Sequence, residues 1–469
     1  MTALDTQQSA TNSFVRLTAR VVSKLPEPLA KKLSGLLDNA DDLASVLRGA
    51  ASVMAIRVAG ACVSFVSLAL LARWMGAFEF GIYAYVWTWI IFVGTMAPLG
   101  LNTSLMRFIP EYMARQRWGR IWGLLTQAHL IVLAAATTAS ILGGITLWIV
   151  HPYIDDYYVL PFAVALLVLP LYALLDTQEG TARAFGWVTL AYIIPYLMRP
   201  LLLLLGIGAL VLVGIAPDAI AALFAMITAT AIGIAVQAVI LVRSIRETVP
   251  RAKPRTHAGY WLMISMPMLV FEGAYLLMSS TDVIMLGQIE DPASVAIYYA
   301  AARTASLIGF VYFATTARTV PKFSEINASG TREDLQKFLD GVNRVSFWPS
   351  FMGVLVLLVI GQYILGMFGD GFEDGYLILA ILSIGYIARC TVGPLEYLLS
   401  MTGRQMTATK IICASAVFNA GLNLLLIPEL GTLGAALATI IAMIANLTAL
   451  AIAVYRKLGI NAFLLRPGR

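Results

Sequence analysis

The sequence predicts an all-α polytopic membrane protein with twelve transmembrane helices. Composition and the placement of basic residues carry that expectation. Hydrophobic residues make up 59% of the 469 positions and charged residues only 12%, with a mean hydropathy of +0.82. A soluble chain of this length carries about twice that share of charge. Apolar runs long enough for spans of roughly 20 residues recur along nearly the whole length. Strands of a β-barrel would instead show as short alternating segments.

In chain order the spans are expected near 50–72, 81–106, 121–150, 158–182, 187–213 and 217–243, then near 259–287, 294–318, 343–368, 375–400, 405–427 and 431–455. With alternating spans and a cytoplasmic N-terminus, the outer loops hold one of the 32 Lys and Arg residues, Arg73. Arg57, Arg199, Arg303 and Arg389 fall inside spans, and the other 27 lie in inner loops, inner helix ends or tails. Acids such as Glu79, Asp155, Asp218, Glu290 and Asp370 occupy the outer loops. This asymmetry is the positive-inside pattern, which places both termini in the cytoplasm and the chain in the cytoplasmic membrane. The net charge of +6 is therefore a topology signal, and no nucleic-acid partner is expected.

The basic loop "RSIRETVPRAKPRTH" (Arg243 to His257) divides the spans six and six. The expected organisation is a cytoplasmic tail over 1–49, an N-terminal lobe over 50–243, a linker over 244–258, a C-terminal lobe over 259–456 and a tail over 457–469. The tail stretch "FVRLTARVVSKL" (Phe14 to Leu25) has the pattern of a basic amphipathic helix on the inner leaflet, and a flexible tail fits it equally. Cys62, Cys390 and Cys413 all lie in apolar spans, where small core residues are expected rather than a disulfide or metal set.

Six is even, so both halves start on the same side and any duplication is parallel. Gly76 and Gly287, Arg107 and Arg318, and Pro110 and Pro321 are each offset by 211 residues. Parallel six-helix repeats of this kind occur in rocking transporters.

"LARWMGAFEFGIYAY", "GLNTSLMRFIPEYMAR" and "STDVIMLG" in the first two thirds, then "GPLEYLLSMTGRQ" and "NLLLIPELGTLGAALAT", resemble the pattern of bacterial polysaccharide (O-antigen or exopolysaccharide) flippases. That family belongs to the multidrug/oligosaccharidyl-lipid/polysaccharide (MOP) exporter superfamily. The resemblance covers nearly all of the chain after residue 50, through loose Gly, Pro and Tyr landmarks. It implies two MATE-like lobes around a central cavity that opens alternately to either side, and export of a polyprenyl-pyrophosphate-linked oligosaccharide. The polar extension before the first span departs from that pattern.

Charges at membrane depth are expected to pair or to line a wet cavity. Counting helical rise, Arg57 lies roughly 10 Å from the inner end of its span and Arg303 roughly 13 Å from the outer end of its own. Arg199 and Arg389 fall near mid-span; Glu272 is the mid-membrane acid, with Asp282 toward the outer end of the same span. Asp176, Glu179 and Glu396 fall near inner ends. This surplus of arginine, which cannot shed its proton and whose fork matches phosphate oxygens, suits a pyrophosphate. Arg303 and Arg57 are the leading candidate ligands, followed by Arg199 and Arg389. Related lipid flippases carry cavity arginines on the equivalent first and eighth helices, which supports the first two by helix alone. Equally, Arg57 can pair with Glu272, Arg199 or Arg389 can bridge helices, and Asp282 can pair with Arg303. Glu272 and Asp282 are the candidate coupling or pairing acids.

Other features have plainer expectations. The aromatic stretches Tyr85 to Phe92 and Val295 to Tyr299 are expected in an interfacial belt before a sugar-stacking role. Asn419 and Asn423 suit interhelical hydrogen bonds, Arg107 and Arg318 headgroup contacts, and His129 a packing role. No P-loop, HExxH, CxxC or nucleophile elbow occurs, so no enzyme, cofactor or metal centre is expected. The reading is therefore a flippase whose partners are its glycolipid, membrane lipids and, further out, a polymerase or other synthesis-complex protein. The competing readings are a drug or metabolite antiporter of the same superfamily and a non-transporting scaffold.

Overall fold

A computed structural model describes the backbone of residues 27–463, with side chains from residue 56 onward except six positions between 313 and 329. The proposed amphipathic segment 14–25 lies outside the described residues, and residues up to Ala55 form a unit of their own. From Ile56 onward the chain is a single helical unit, and the described residues contain no strand.

The helices are α1 (Glu27–Met96), α2 (Leu101–Ala114), α3 (Trp118–Val150), α4 (Asp156–Ala184), α5 (Val188–Leu212) and α6 (Ala219–Thr248). They are followed by α7 (Ala258–Ile289), α8 (Pro292–Ser306), α9 (Gly309–Ser329), α10 (Arg332–Gly366), α11 (Tyr376–Val392), α12 (Leu395–Met401) and α13 (Gln405–Leu458). Ten stretches are long and apolar enough to cross a membrane, two of them running over 59 and 54 residues. Both are broken at a glycine that only a residue without Cβ adopts easily, Gly76 at φ 79° and Gly431 at φ 56°.

Both fold back there. Ser415 Oγ lies 3.1 Å from Asn446 Oδ1, and Lys457 Nζ donates to Thr407 Oγ1 at 2.6 Å; a straight helix would hold residues 31 positions apart at about 46 Å. Around Gly76, Ser67 Oγ donates to the Pro200 carbonyl at 3.4 Å while Trp87 lies 5.5 Å from the Arg199 guanidinium, so both arms of α1 run beside α5. The sequence count of twelve treats each of these arms as a span.

Several expected spans change shape. The one near 81–106 is interrupted by a turn at residues 97–100, where Leu99 and Gly100 take φ of 54° and 72°. Its counterpart near 294–318 breaks at Leu307 and Ile308, between α8 and α9. The span near 375–400 breaks at Gly393 and Pro394, because proline cannot donate to the preceding turn. The span near 343–368 starts earlier, at Arg332, where a Thr331–Asp334 capping box closes the first turn. Two halves thus repeat the same broken second helix, and Gly186 and Gly403 take the same φ of 77° before the fifth helix of each.

The halves pack closely at the end of the bundle that carries Gly76. Phe80 is fully buried there, with its ring 6.2 Å from both Tyr299 and Phe372. Gly81 packs on the Pro292 carbonyl and Gly287 on the Tyr85 ring, so close that a Cβ at either would collide. At the opposite end the halves touch through polar contacts, Trp261 Nε1 to Tyr112 Oη at 3.0 Å and Ser265 Oγ to Ser104 Oγ at 2.7 Å. The expected aromatic belt is corrected here: Tyr85, Trp87, Tyr298 and Tyr299 are buried between helices. Tyr85 and Tyr299 fill the seam, against Gly287 and Phe80, while Trp87 and Tyr298 pack within their own halves.

Overpacking a filled contact costs about 1–3 kcal/mol. Gly81→Val is therefore expected to lower the melting temperature in detergent, whereas Gly259→Val, with open space around it, is expected to leave it nearly unchanged. Equal melting of the two variants would contradict a close-packed seam at Gly81.

Candidate functional site: two polar clusters inside the bundle

Each half carries a charged cluster. In the first, Asp176, Glu179 and Arg183 share one face of α4, at spacings of three and four residues. Glu179 Oε1 lies 3.6 Å from Arg183 Nε, and Asn102 Nδ2 donates to Asp176 Oδ2 at 2.7 Å. Arg199 follows a widened π turn at Ile194–Met198, a feature that often marks functional positions. Its guanidinium lies between the rings of Trp87 at 5.5 Å and Tyr172 at 5.6 Å.

Arg57 stacks on Tyr192 at 4.5 Å and keeps a buried Nε with no hydrogen-bond partner. It lies within electrostatic reach of Glu179 in the first half and Tyr397 in the second. The expected Arg57–Glu272 ion pair does not form among the described residues. Glu272 instead accepts a short hydrogen bond from the Thr103 hydroxyl across the seam, and its Oε2 is buried without a partner.

The second cluster surrounds a cavity of about 320 Å³ whose lining includes Asp282, Arg303, Tyr386, Arg389, Glu396 and Tyr397. Arg303 is in the last turn of α8, just before the chain breaks, and is exposed despite its depth in the bundle. It lies over the Tyr299 ring at 4.7 Å. The expected pairing with Asp282 is absent among the described ion pairs: Tyr298 Oη donates to Asp282 Oδ2 at 2.5 Å and the Val283 amide to Oδ1 at 2.9 Å. Local partners satisfy that carboxylate, which leaves Arg303 open to the cavity.

Arg389 behaves differently. Its Nη2 donates to Glu396 Oε1 at 2.9 Å, and Tyr312 Oη donates to the same oxygen at 2.7 Å. The Gly393–Pro394 break brings Glu396 back beside Arg389, so the bridging role applies to this arginine. Asn419 reaches the Met278 carbonyl on α7 at 3.5 Å, an interhelical contact, whereas Asn423 donates within its own helix to the Asn419 carbonyl at 2.9 Å. His129 contacts the Leu125 carbonyl at 2.7 Å through Nδ1. Arg107 is exposed, and the side chain of Arg318 lies outside the described residues. Among the described residues no metal-ligating group of three forms.

The surplus of arginine over acid is smaller than the sequence suggests. Asp176, Glu179 and Glu396, placed by linear counting at inner helix ends, share the interior with Arg57, Arg183, Arg199 and Arg389. The Gly393–Pro394 break carries Glu396 there, whereas Asp176 and Glu179 lie in the last three turns of the unbroken α4. The tyrosines that line the second cavity were also missed. They carry no motif, and only the helical register of Tyr275, Tyr386 and Tyr397 brings them together.

This many-helix architecture is the fold shared by transporters of the MOP superfamily. The similar solved structures include an inward-facing multidrug resistance MATE family transporter of that superfamily, at 11% identity and TM-score 0.73 over 87% of this chain and 98% of that one. The lipid II flippase MurJ, in an inward closed conformation, aligns at 14% identity and TM-score 0.69 over 86% and 87% of the two chains. A MOP superfamily transporter from Pyrococcus furiosus, described as having a binding pocket of reversed polarity, aligns at 12% identity and TM-score 0.57 over 88% and 95%. Within this class, the chain belongs to the polysaccharide biosynthesis protein family, whose sequence model matches residues 46–327. No curated protein matches the sequence.

Removing one partner of a buried ion pair costs about 3–5 kcal/mol, whereas replacing both with apolar groups is often neutral. Glu396→Ala should therefore destabilise the protein sharply, and the double variant Arg389→Met, Glu396→Leu should recover most of the loss in a denaturation series. A double variant no more stable than the single one would show that the pair does more than satisfy itself.

Proposed function

We propose that the chain is a flippase that carries a polyprenyl-pyrophosphate-linked oligosaccharide across the cytoplasmic membrane for surface polysaccharide synthesis. The observation that carries this reading is Arg303: exposed in a cavity deep in the bundle and without an ion pair among the described residues. An arginine so placed is a standing bidentate site for phosphate oxygens. Arg57, whose buried Nε has no hydrogen-bond partner among the described residues, is the second phosphate ligand in this scheme, and Arg199 a third. Arg389 holds the cavity wall through Glu396. Hydroxyls and amides of the same lining, among them Ser279, Ser306 and Asn446, suit sugar hydroxyls.

Each arm of the two folded-back helices is taken as a crossing, which gives twelve spans with both termini in the cytoplasm. The Gly81–Pro292 seam then lies on the outer side and closes it. The pyrophosphate enters from the inner leaflet while the isoprenoid tail stays in lipid, and the halves rock so that the seam parts and releases the glycan. Outward movement of anionic charge is favoured by the membrane potential, at about 2.3 kcal/mol per charge per 100 mV. Family membership and the fold shared with a lipid II flippase support this reading.

An antiporter reading draws on Glu272, whose Oε2 is buried without a partner. In that case Glu272→Gln would abolish export of a cationic compound and leave glycolipid movement intact.

In liposomes loaded with a fluorescent polyprenyl-pyrophosphate oligosaccharide, the wild type is expected to expose label to an external, membrane-impermeant reagent. Arg303→Ala is expected to lose most of that rate, while Arg303→Lys keeps charge without the fork and retains part of it. Equal rates in all three would make Arg303 structural, and exposure no faster than in empty liposomes would remove the flippase reading.

A further inference from the structure

A second and larger cavity, of about 640 Å³, lies away from the charged clusters. Most of its wall comes from the first half, including Trp89, Leu147, Tyr158 and Phe162, but Gly287 and Gln288 of α7 close one side. It therefore straddles the seam between the halves, next to the Gly287–Tyr85 contact. Its size falls within the range of ligand pockets, and such pockets combine an apolar wall with a few polar groups.

Two features set what it would hold. The Tyr158 side chain is 3% exposed and its hydroxyl has no hydrogen-bond partner, although the residue lines the cavity. Asp155 is the one charged residue among the described lining, and it sits at the exposed edge, where Tyr157 donates to it at 2.7 Å. Asp291 lies within electrostatic reach of the same tyrosines. An acidic mouth repels an anionic headgroup such as a pyrophosphate and attracts a cationic one. The neighbouring face of α3 is lipid-facing, with Leu142, Ile145, Trp148 and Ile149 exposed, so hydrocarbon chains reach the cavity directly.

We infer that this cavity binds a zwitterionic membrane lipid with a primary ammonium headgroup, its acyl chain between the halves and its ammonium at Asp155, and that occupancy holds the seam closed. Both halves contribute to the wall, so parting them breaks the site; a ligand that binds only the closed form shifts the equilibrium toward it. The lipid thus acts as a brake on opening, bound at a place distinct from the arginine cavity. The binding site stands on the cavity itself, while its braking role rests on the proposed rocking of the halves and the supplying leaflet on the proposed orientation.

The test uses full-length protein in detergent and needs no transport substrate, so it fails or succeeds separately from the flippase reading. Phosphatidylethanolamine, phosphatidylglycerol and polyprenyl phosphate are titrated while melting temperature is followed. Phosphatidylethanolamine carrying brominated acyl chains is then used to quench tryptophan fluorescence, with Trp89→Phe identifying the local share. The expected result is a saturable rise in melting temperature with phosphatidylethanolamine alone, and quenching that falls in Trp89→Phe. Asp155→Lys, at an exposed position, should weaken that response several-fold, and Ala139→Trp should abolish it by filling the cavity. A response equal or greater with phosphatidylglycerol, a preference for polyprenyl phosphate, or full retention in Asp155→Lys would overturn the assignment.

Discussion

An arginine cannot give up its proton to enter hydrocarbon, so every guanidinium inside the bilayer must be answered by structure. This protein answers in three ways. Arg389 is answered by a carboxylate and Arg199 by aromatic faces. Arg303 is left facing an open cavity. The helix breaks follow from the same need: the turn after Ser306 ends α8 beside Arg303, and the Gly393–Pro394 interruption returns Glu396 to Arg389. Charge placement and backbone irregularity are one arrangement, since irregular backbone at membrane depth is tolerated where it lines a cavity or is buried in protein.

The second constraint is closeness between the halves. Lipid tails are as apolar as leucine, so burial alone does not press helices together in a membrane; close packing must. Gly81 and Gly287 allow backbone and ring to approach at the seam, and Phe80 fills the space beside them. The opposite end is joined by serine, tyrosine and tryptophan hydrogen bonds. Both ends are close-packed, the first through apolar rings and the second with these polar contacts beside Gly100, which packs on the Ser265 carbonyl.

Much of the fold was legible in the sequence because hydropathy and basic-residue placement report directly on membrane crossing. The sharp reversals at Gly76 and Gly431 fell where spans were expected to meet. The breaks at Leu99–Gly100 and Leu307–Ile308 were not legible, since short apolar turns inside an apolar run leave no trace in composition. For the same reason the return of Glu396 to Arg389 at the Gly393–Pro394 break was not legible, while Glu179 meets Arg183 one turn along its own helix. Arg57 did not pair with Glu272: Arg57 stacks on Tyr192 and Glu272 Oε1 is held by Thr103, while Arg57 Nε and Glu272 Oε2 stay without hydrogen-bond partners among the described residues.

The central claim is that cavity arginines recognise phosphate, and binding measures it most directly. Native mass spectrometry of the purified protein with matched polyprenyl pyrophosphate, polyprenyl phosphate and polyprenol would rank their affinities. The account predicts tightest binding for the pyrophosphate, weakest for the alcohol, and a ranking that collapses when Arg57 and Arg303 are both replaced by alanine. Equal binding of the three lipids to the wild type, or an unchanged ranking in the double variant, would contradict it.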